Sequence, residues 1–205
     1  MRCQSCGKQC NGDYCSMHDP KQSKFTTLTT SLTDIEKEVL ANTSIQKINL
    51  NSKVVFGYGT GVNKIVILGE APSMKGGAIT GEPFTSPYSG RLMTQILKEA
   101  DIRKEDCFVS NVCFVGLTEN RTPTYQEMSL CWSYLARAMD ILQPNLIIVL
   151  GTTAKQFFES KYIVSNLRKT NVVYLVHPSY VLRKGEEAIT NYKQRFLEVL
   201  NAKRI

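Results

Sequence analysis

The chain has 205 residues, 42% of them hydrophobic and 21% charged. That is enough for one domain with a proper core, and the composition is that of a globular chain, neither disordered nor membranous. Lys and Arg total 25 against 18 Asp and Glu, a formal charge of +7 that favours an anionic partner, most often nucleic acid.

The first eighteen residues hold four of the seven cysteines and one of the two histidines. Cys3 and Cys6 are separated by two residues, as are Cys15 and His18. Each pair can bend round one ion, and thiolate plus imidazole suits tetrahedral zinc. Cys10 is left over and is an alternative to Cys15 or His18. Residues 1–20 are therefore expected to form a structural zinc knuckle, too short for a DNA-reading finger helix and suited to docking a protein partner. Residues 21–31 read as a linker rich in Ser, Thr and Lys. The opening residues contain no apolar segment of signal-peptide length, and the longest apolar run, residues 146–150, is strand-sized. The expectation is a soluble, intracellular (cytoplasmic) monomer with no membrane segment, in which clustered cysteines bind metal.

From residue 32 onward the periodicity alternates. Residues 32–40 carry apolar positions at helical spacing. Residues 64–68 form a β-branched strand ending in Gly69, and residues 90–100 read as an amphipathic helix. Residues 107–114 read as a strand. Thr124 and Glu127 make a capping box that opens a helix to residue 142. Residues 146–150 are a strand, Gly151-Thr152-Thr153 opens another helix, residues 172–176 are a strand, and residues 188–200 a final amphipathic helix. The pattern predicts an α/β fold over residues 32–205, a three-layer α/β/α arrangement about a central four-stranded parallel sheet. In such sheets ligands bind outside the carboxyl ends of the strands. The segments there are residues 69–84, 111–123, 151–153 and 177–183.

These segments carry a collinear set of motifs: GEAP at 69–72, G-x-PF ending at Phe84, Asn111-Val112, ENR-x-P at 119–123, LG-x-T-A at 150–154 and HPS-x-x-LR at 177–183. VVFGYG precedes the first strand. Together they resemble the uracil-DNA glycosylase superfamily, nearest to its bacterial and archaeal family 4, over about residues 32–200. The resemblance implies a monofunctional glycosylase that flips uracil or a modified pyrimidine out of DNA and hydrolyses its N-glycosidic bond, leaving an abasic site. Such chemistry needs a donor for the charge developing on the departing base, an aromatic ring against its face, and a group reading its Watson–Crick edge.

The resemblance assigns His177 as the donor at the pyrimidine oxygen. Asn111 is the reader of the base edge, with both a donor and an acceptor to offer. Phe84 stacks on the base, and Ala71 and Ser73 line its pocket. Leu182 is the wedge into the duplex, Arg183 and Ser179 meet phosphates, and Thr152 sits at a helix start whose N–H groups can face phosphate. No lysine is placed as a Schiff-base nucleophile, so lyase activity is not expected.

Three features depart from the family. The GEAP loop continues as Ser73-Met74-Lys75-Gly76-Gly77, without the usual acid that positions water; Glu70 and Glu82 are the two carboxylates able to substitute. A catalytically weak protein that senses modified bases is the alternative this raises. One extra residue precedes Pro83-Phe84, and the link at residues 85–90 is one longer than usual; Ser73 leaves room at the pyrimidine C5 position. Finally, the family's iron–sulfur cysteines lie near residues 41–46, which here read ANTSIQ, and at Val115; only Cys131 remains, with Cys113 two residues early. A cluster needing four ligands is not expected, and zinc in the terminal knuckle is the metal anticipated instead.

Overall fold

A computed structural model describes residues 31–162 and 170–202. Residues 1–20, on which the zinc knuckle is expected, lie outside them, as does all but Ser31 of the linker. The chain divides into units of residues 1–31 and 32–205, and the second is described here.

Its elements run α1 (Leu32–Ala41), α2 (Thr43–Gln46), β1 (Ile65–Gly69), α3 (Gly77–Thr80), α4 (Ser89–Glu99), β2 (Phe108–Asn111), α5 (Tyr125–Leu142), β3 (Leu146–Leu150), α6 (Thr152–Tyr162), β4 (Asn171–Leu175), α7 (Pro178–Val181) and α8 (Glu186–Asn201). The four strands form one parallel sheet in the order β2-β1-β3-β4. Strands β1 and β3 are buried on both faces, as their unbroken apolar sequences require.

Alternate side chains of the two central strands feed two cores. Val66, Leu68, Ile147 and Val149 pack with residues of α1, α2, α5 and α6, while Ile65, Ile67, Leu146, Ile148 and Leu150 pack with α4, α7 and α8. Burying each such side chain contributes about 1.5–3 kcal/mol. That exceeds helix propensities of up to about 0.7 kcal/mol per residue, so the apolar pattern decides the layering. The three-layer arrangement expected from the sequence is the one observed.

The second strand is shorter than the apolar run suggests. Pairing with β1 ends at Gly69 opposite Asn111. The chain then bends, and Val115 makes an isolated antiparallel bridge to Val54. Residues 112–115 are all buried, and an apolar run cannot distinguish a strand from a packed loop. Helix α2 also escapes the periodicity. Its cap reveals it: Asn42 Oδ1 accepts from the N–H groups of Ser44 and Ile45 at 2.9 and 3.2 Å.

The capping box of α5 is present. Glu127 accepts from the Thr124 N–H at 2.7 Å, and Thr124 Oγ1 accepts from the Glu127 N–H at 3.2 Å. Arg121 donates to both Glu127 oxygens, at 2.9 and 2.6 Å. The Arg121 guanidinium and these N–H donors outweigh partial burial and hold the Glu127 carboxyl down to about 2, against an ordinary 4.5. The pair fixes the loop after β2 to the start of α5. Because the folded carboxyl is the stronger acid, its contribution is complete above pH 4.5 and disappears as pH falls toward 2. Denaturant unfolding of Glu127→Gln is therefore expected to show lower stability than wild type at pH 7 and a difference that shrinks across that acid range.

Candidate active site

Three of the four expected loop segments, residues 69–84, 111–123 and 177–183, meet at one edge of the sheet and enclose a cavity of about 600 Å³; residues 151–153 do not line it. Glu70, Ala71, Ser73, His177, Ser179, Leu182 and Arg183 line it. A smaller recess of about 30 Å³ shares Ala71, Ser73 and His177 with it and adds Phe84 and Asn111. Of the residues singled out from the described sequence, Thr152 and Glu82 line neither. Thr152 is exposed at the start of α6. Glu82 is paired with Lys104 at 2.6 Å, and Lys104 also donates to the Pro83 carbonyl at 3.0 Å. Of the two carboxylates left open by the sequence, Glu70 is the one in the cavity.

Asn111 is 2% exposed at the end of β2, and its Nδ2 has no hydrogen-bond partner among the described residues. A buried amide without a partner costs on the order of 1–3 kcal/mol. Its neighbour across the ladder, Gly69, explains how it fits. A Cβ on Gly69 would lie 2.5 Å from Asn111 Oδ1 and 2.8 Å from Phe84 Cζ. Only a residue without a side chain lets the amide and the ring close together here.

Phe84 has φ of 55°, a left-handed conformation costly for an aromatic residue, on the order of 1–3 kcal/mol. The loop that imposes it lies directly on α4: a Cβ on Gly90 would overlap the Phe84 carbonyl oxygen. The result sets the Phe84 ring 6.0 Å from the His177 ring, centroid to centroid, and 24° from parallel.

His177 caps α7. Its Nδ1 accepts from the Ser179 N–H at 3.2 Å and lies 2.8 Å from Ser179 Oγ. A backbone N–H can only donate, so Nδ1 presents its lone pair and the neutral ring carries its proton on Nε2. Burial chiefly, and then the Arg183 charge, lower the imidazolium to about 4 from 6.5. At neutral pH His177 is an uncharged donor.

A second loop contact shapes the cavity. Asn120 Oδ1 accepts from the Met74 N–H at 2.9 Å, joining the loops after β1 and β2. Asn120 has φ of 53°, which asparagine tolerates better than most residues. Its place in the ENR motif was the only sign of this role in the sequence. Tyr88, Ser86 and Ser89, all in the lengthened link, also line the cavity, as does Tyr180.

Leu182 lines the cavity but is half-buried and packs on the core beneath α7 and α8. Tyr180 is the exposed large side chain of that segment.

Around Cys131 the described residues do not fit an iron–sulfur cluster. Its Sγ accepts from the Phe114 N–H at 3.3 Å, and the thiol is hydrogen-bonded to Cys113. That contact pushes the Cys131 thiol up and the Cys113 thiol down. Ile45 and Val115, both fully buried, fill the positions that the resemblance assigns to or near other ligands. Among the described residues two thiols are present there, where four are needed. Among the described residues no group of three or more His, Cys, Asp or Glu is arranged to hold a metal, and no helix is long and apolar enough to cross a membrane.

Known proteins resemble this chain over much of its length. A family model described as the uracil DNA glycosylase superfamily matches residues 56–201. The type-4 uracil-DNA glycosylase of Thermotoga maritima is 34% identical over 163 residues, covering 74% of this chain and 84% of that protein. That of Archaeoglobus fulgidus is 31% identical over 172 residues, covering 76% and 85%. The crystal structure of wild-type SMUG2 from Pedobacter heparinus shares the fold, with a TM-score of 0.55 at 16% identity over 67% of this chain and 74% of that one.

The Nδ1 contacts and the burial of His177 have a measurable consequence. In a histidine NMR titration its ring is expected to protonate near pH 4, well below the ordinary 6.5. Arg183→Gln, which removes one of the two causes, is expected to raise that midpoint part of the way. A midpoint at 6.5 in the wild type contradicts the lowering by burial and Arg183.

Proposed function

The chain belongs to the uracil DNA glycosylase superfamily, and on that premise we propose that it extrudes uracil from DNA into the cavity, with the base edge at the recess lined by Phe84 and Asn111, and hydrolyses its N-glycosidic bond. The observation that carries the reading is the unpartnered Nδ2 of Asn111, 2% exposed in the wall of that recess. A pyrimidine carbonyl oxygen is the acceptor this donor lacks, and Asn111 Oδ1 can accept from the ring N–H. Phe84 stacks on the base face. His177 donates through Nε2 to the pyrimidine oxygen on which negative charge grows as the bond to the sugar lengthens. The C1′–N1 electron pair leaves with the base, and water adds to the oxocarbenium carbon and loses a proton. Glu70, which lines the cavity, orients the water; residues 73–77 contain no acid to do so.

An uncharged donor suits this step. A neutral imidazole N–H stabilises the departing anion without needing a proton from solvent, and it keeps this role down to pH values near 4. His177→Ala is expected to slow base release about 10²- to 10³-fold, the usual cost of removing one such donor, while DNA binding persists. Equal rates for mutant and wild type point instead to a DNA-binding protein without catalysis, the reading that the missing loop acid favours. Run on duplexes with uracil, 5-hydroxymethyluracil or 5-hydroxymethylcytosine, the same assay defines the base. Release of uracil alone removes the modified pyrimidines that Ser73 leaves room for.

The terminal segment carries a separate proposal. Cys3, Cys6, Cys15 and His18 hold one structural zinc, with Cys10 the replacement for Cys15 or His18, in a knuckle that docks a protein partner to a monomeric enzyme. Ligand spacing supports it. Elemental analysis of the purified chain is expected to give one zinc and no iron; a brown, iron-containing protein contradicts it. Deleting residues 1–20 is expected to leave base release from naked DNA intact.

A further inference from the structure

Two large aromatic side chains stand exposed on the wall of the cavity. Tyr88 is 75% exposed and Tyr180 48% exposed. They come from different segments, Tyr88 from the lengthened link just before α4 and Tyr180 from α7, and both line the cavity. A single exposed tyrosine is ordinary. Two lining one cavity, with cations beside Tyr180, form a pattern. The Arg183 guanidinium lies 5.9 Å from the Tyr180 ring centroid and the Lys184 ammonium 5.2 Å from it. Arg183, Lys75 and Arg121 line the same cavity, against one carboxylate, Glu70. Arg121 is already paired with Glu127.

The chemistry that matches exposed rings set among cations and hydroxyls is a nucleic-acid strand with its bases unstacked. Flat π-faces meet the rings, and phosphates meet Lys75, Arg183 and Lys184. A protein partner would call for a continuous apolar patch, whereas Ser86 and Ser89 also line this wall. In a duplex the bases beside an extruded nucleotide stay paired and stacked on their own neighbours. In a single strand they are free to lie on protein rings.

We propose that Tyr88 and Tyr180 are stacking platforms for the bases on either side of the extruded nucleotide, and that they enable the protein to hold single-stranded DNA. This rests on the reading that the cavity takes an extruded base. It gives the exposed role in the HPSYVLR segment to Tyr180, beside the half-buried Leu182.

The test is fluorescence anisotropy with single-stranded and duplex oligonucleotides carrying one tetrahydrofuran abasic analogue, a probe that binds without being hydrolysed. Tyr88→Ala and Tyr180→Ala are each expected to weaken single-strand affinity about tenfold, with a smaller loss on the duplex. Tyr88→Phe and Tyr180→Phe are expected to retain affinity, because the ring and not the hydroxyl does the stacking. Replacing the two nucleotides flanking the analogue by further abasic analogues is expected to erase the difference between wild type and the alanine variants. Unchanged single-strand affinity in both alanine variants overturns the proposal. So does a loss equal on both forms of DNA, or one that survives removal of the flanking bases. Uracil release by the wild type is measured alongside. No release from either form refutes the glycosylase reading, while the affinity comparison still decides the tyrosines.

Discussion

The site depends on the absence of a side chain at Gly69. The parallel ladder ends with Gly69 opposite Asn111, and into the space a Cβ would occupy come the Asn111 amide oxygen and the edge of the Phe84 ring. A sheet edge thereby becomes a recess. Below it β1, β2 and β3 are ordinary, buried along their length and fixed by hydrophobic packing. At it, three costly features meet: an unpartnered buried amide, a left-handed phenylalanine and a half-buried histidine held neutral. The unpartnered amide and the strained backbone are unfavourable for folding, and an extruded base would give the amide its missing partner.

Electrostatics follow from the same arrangement. His177 stands at the end of β4 with its Nδ1 committed to the Ser179 N–H, so the ring has one donor free and one direction in which to offer it. Arg183 lowers the imidazolium further and lines the cavity. On the proposed reading the chemistry relies on a fixed neutral donor within a basic mouth, with positive charge for the phosphates and a neutral N–H for the base.

Much of this was legible in the sequence. The apolar runs of β1 and β3, the capping box at Thr124 and the alternation of strands and helices define the layers, and the strand ends identify three of the loops that line the cavity. What escaped did so for physical reasons. Residues 112–115 are apolar because they are buried, not because they pair as a strand. Helix α2 is too short for periodicity and rests on its Asn42 cap. Glu70 and Glu82 were equivalent as letters, and only the ion pair with Lys104 removes Glu82 from the cavity. Leu182 has an apolar side chain in a loop motif, yet exposure belongs to Tyr180, because a four-residue helix turns one side chain outward and its neighbours in. The positions that the resemblance gives to cluster ligands are occupied by packing residues such as Val115.

The central claim is that the orphaned Nδ2 of Asn111 is satisfied by the pyrimidine. The most direct measurement follows the Asn111 side-chain amide by nitrogen-edited NMR during titration with free uracil, with Asn111→Ala identifying the resonance. The Asn111 amide protons are expected to move as uracil binds, together with the His177 Nε2 proton. A resonance that stays in place while others lining the cavity shift contradicts the account.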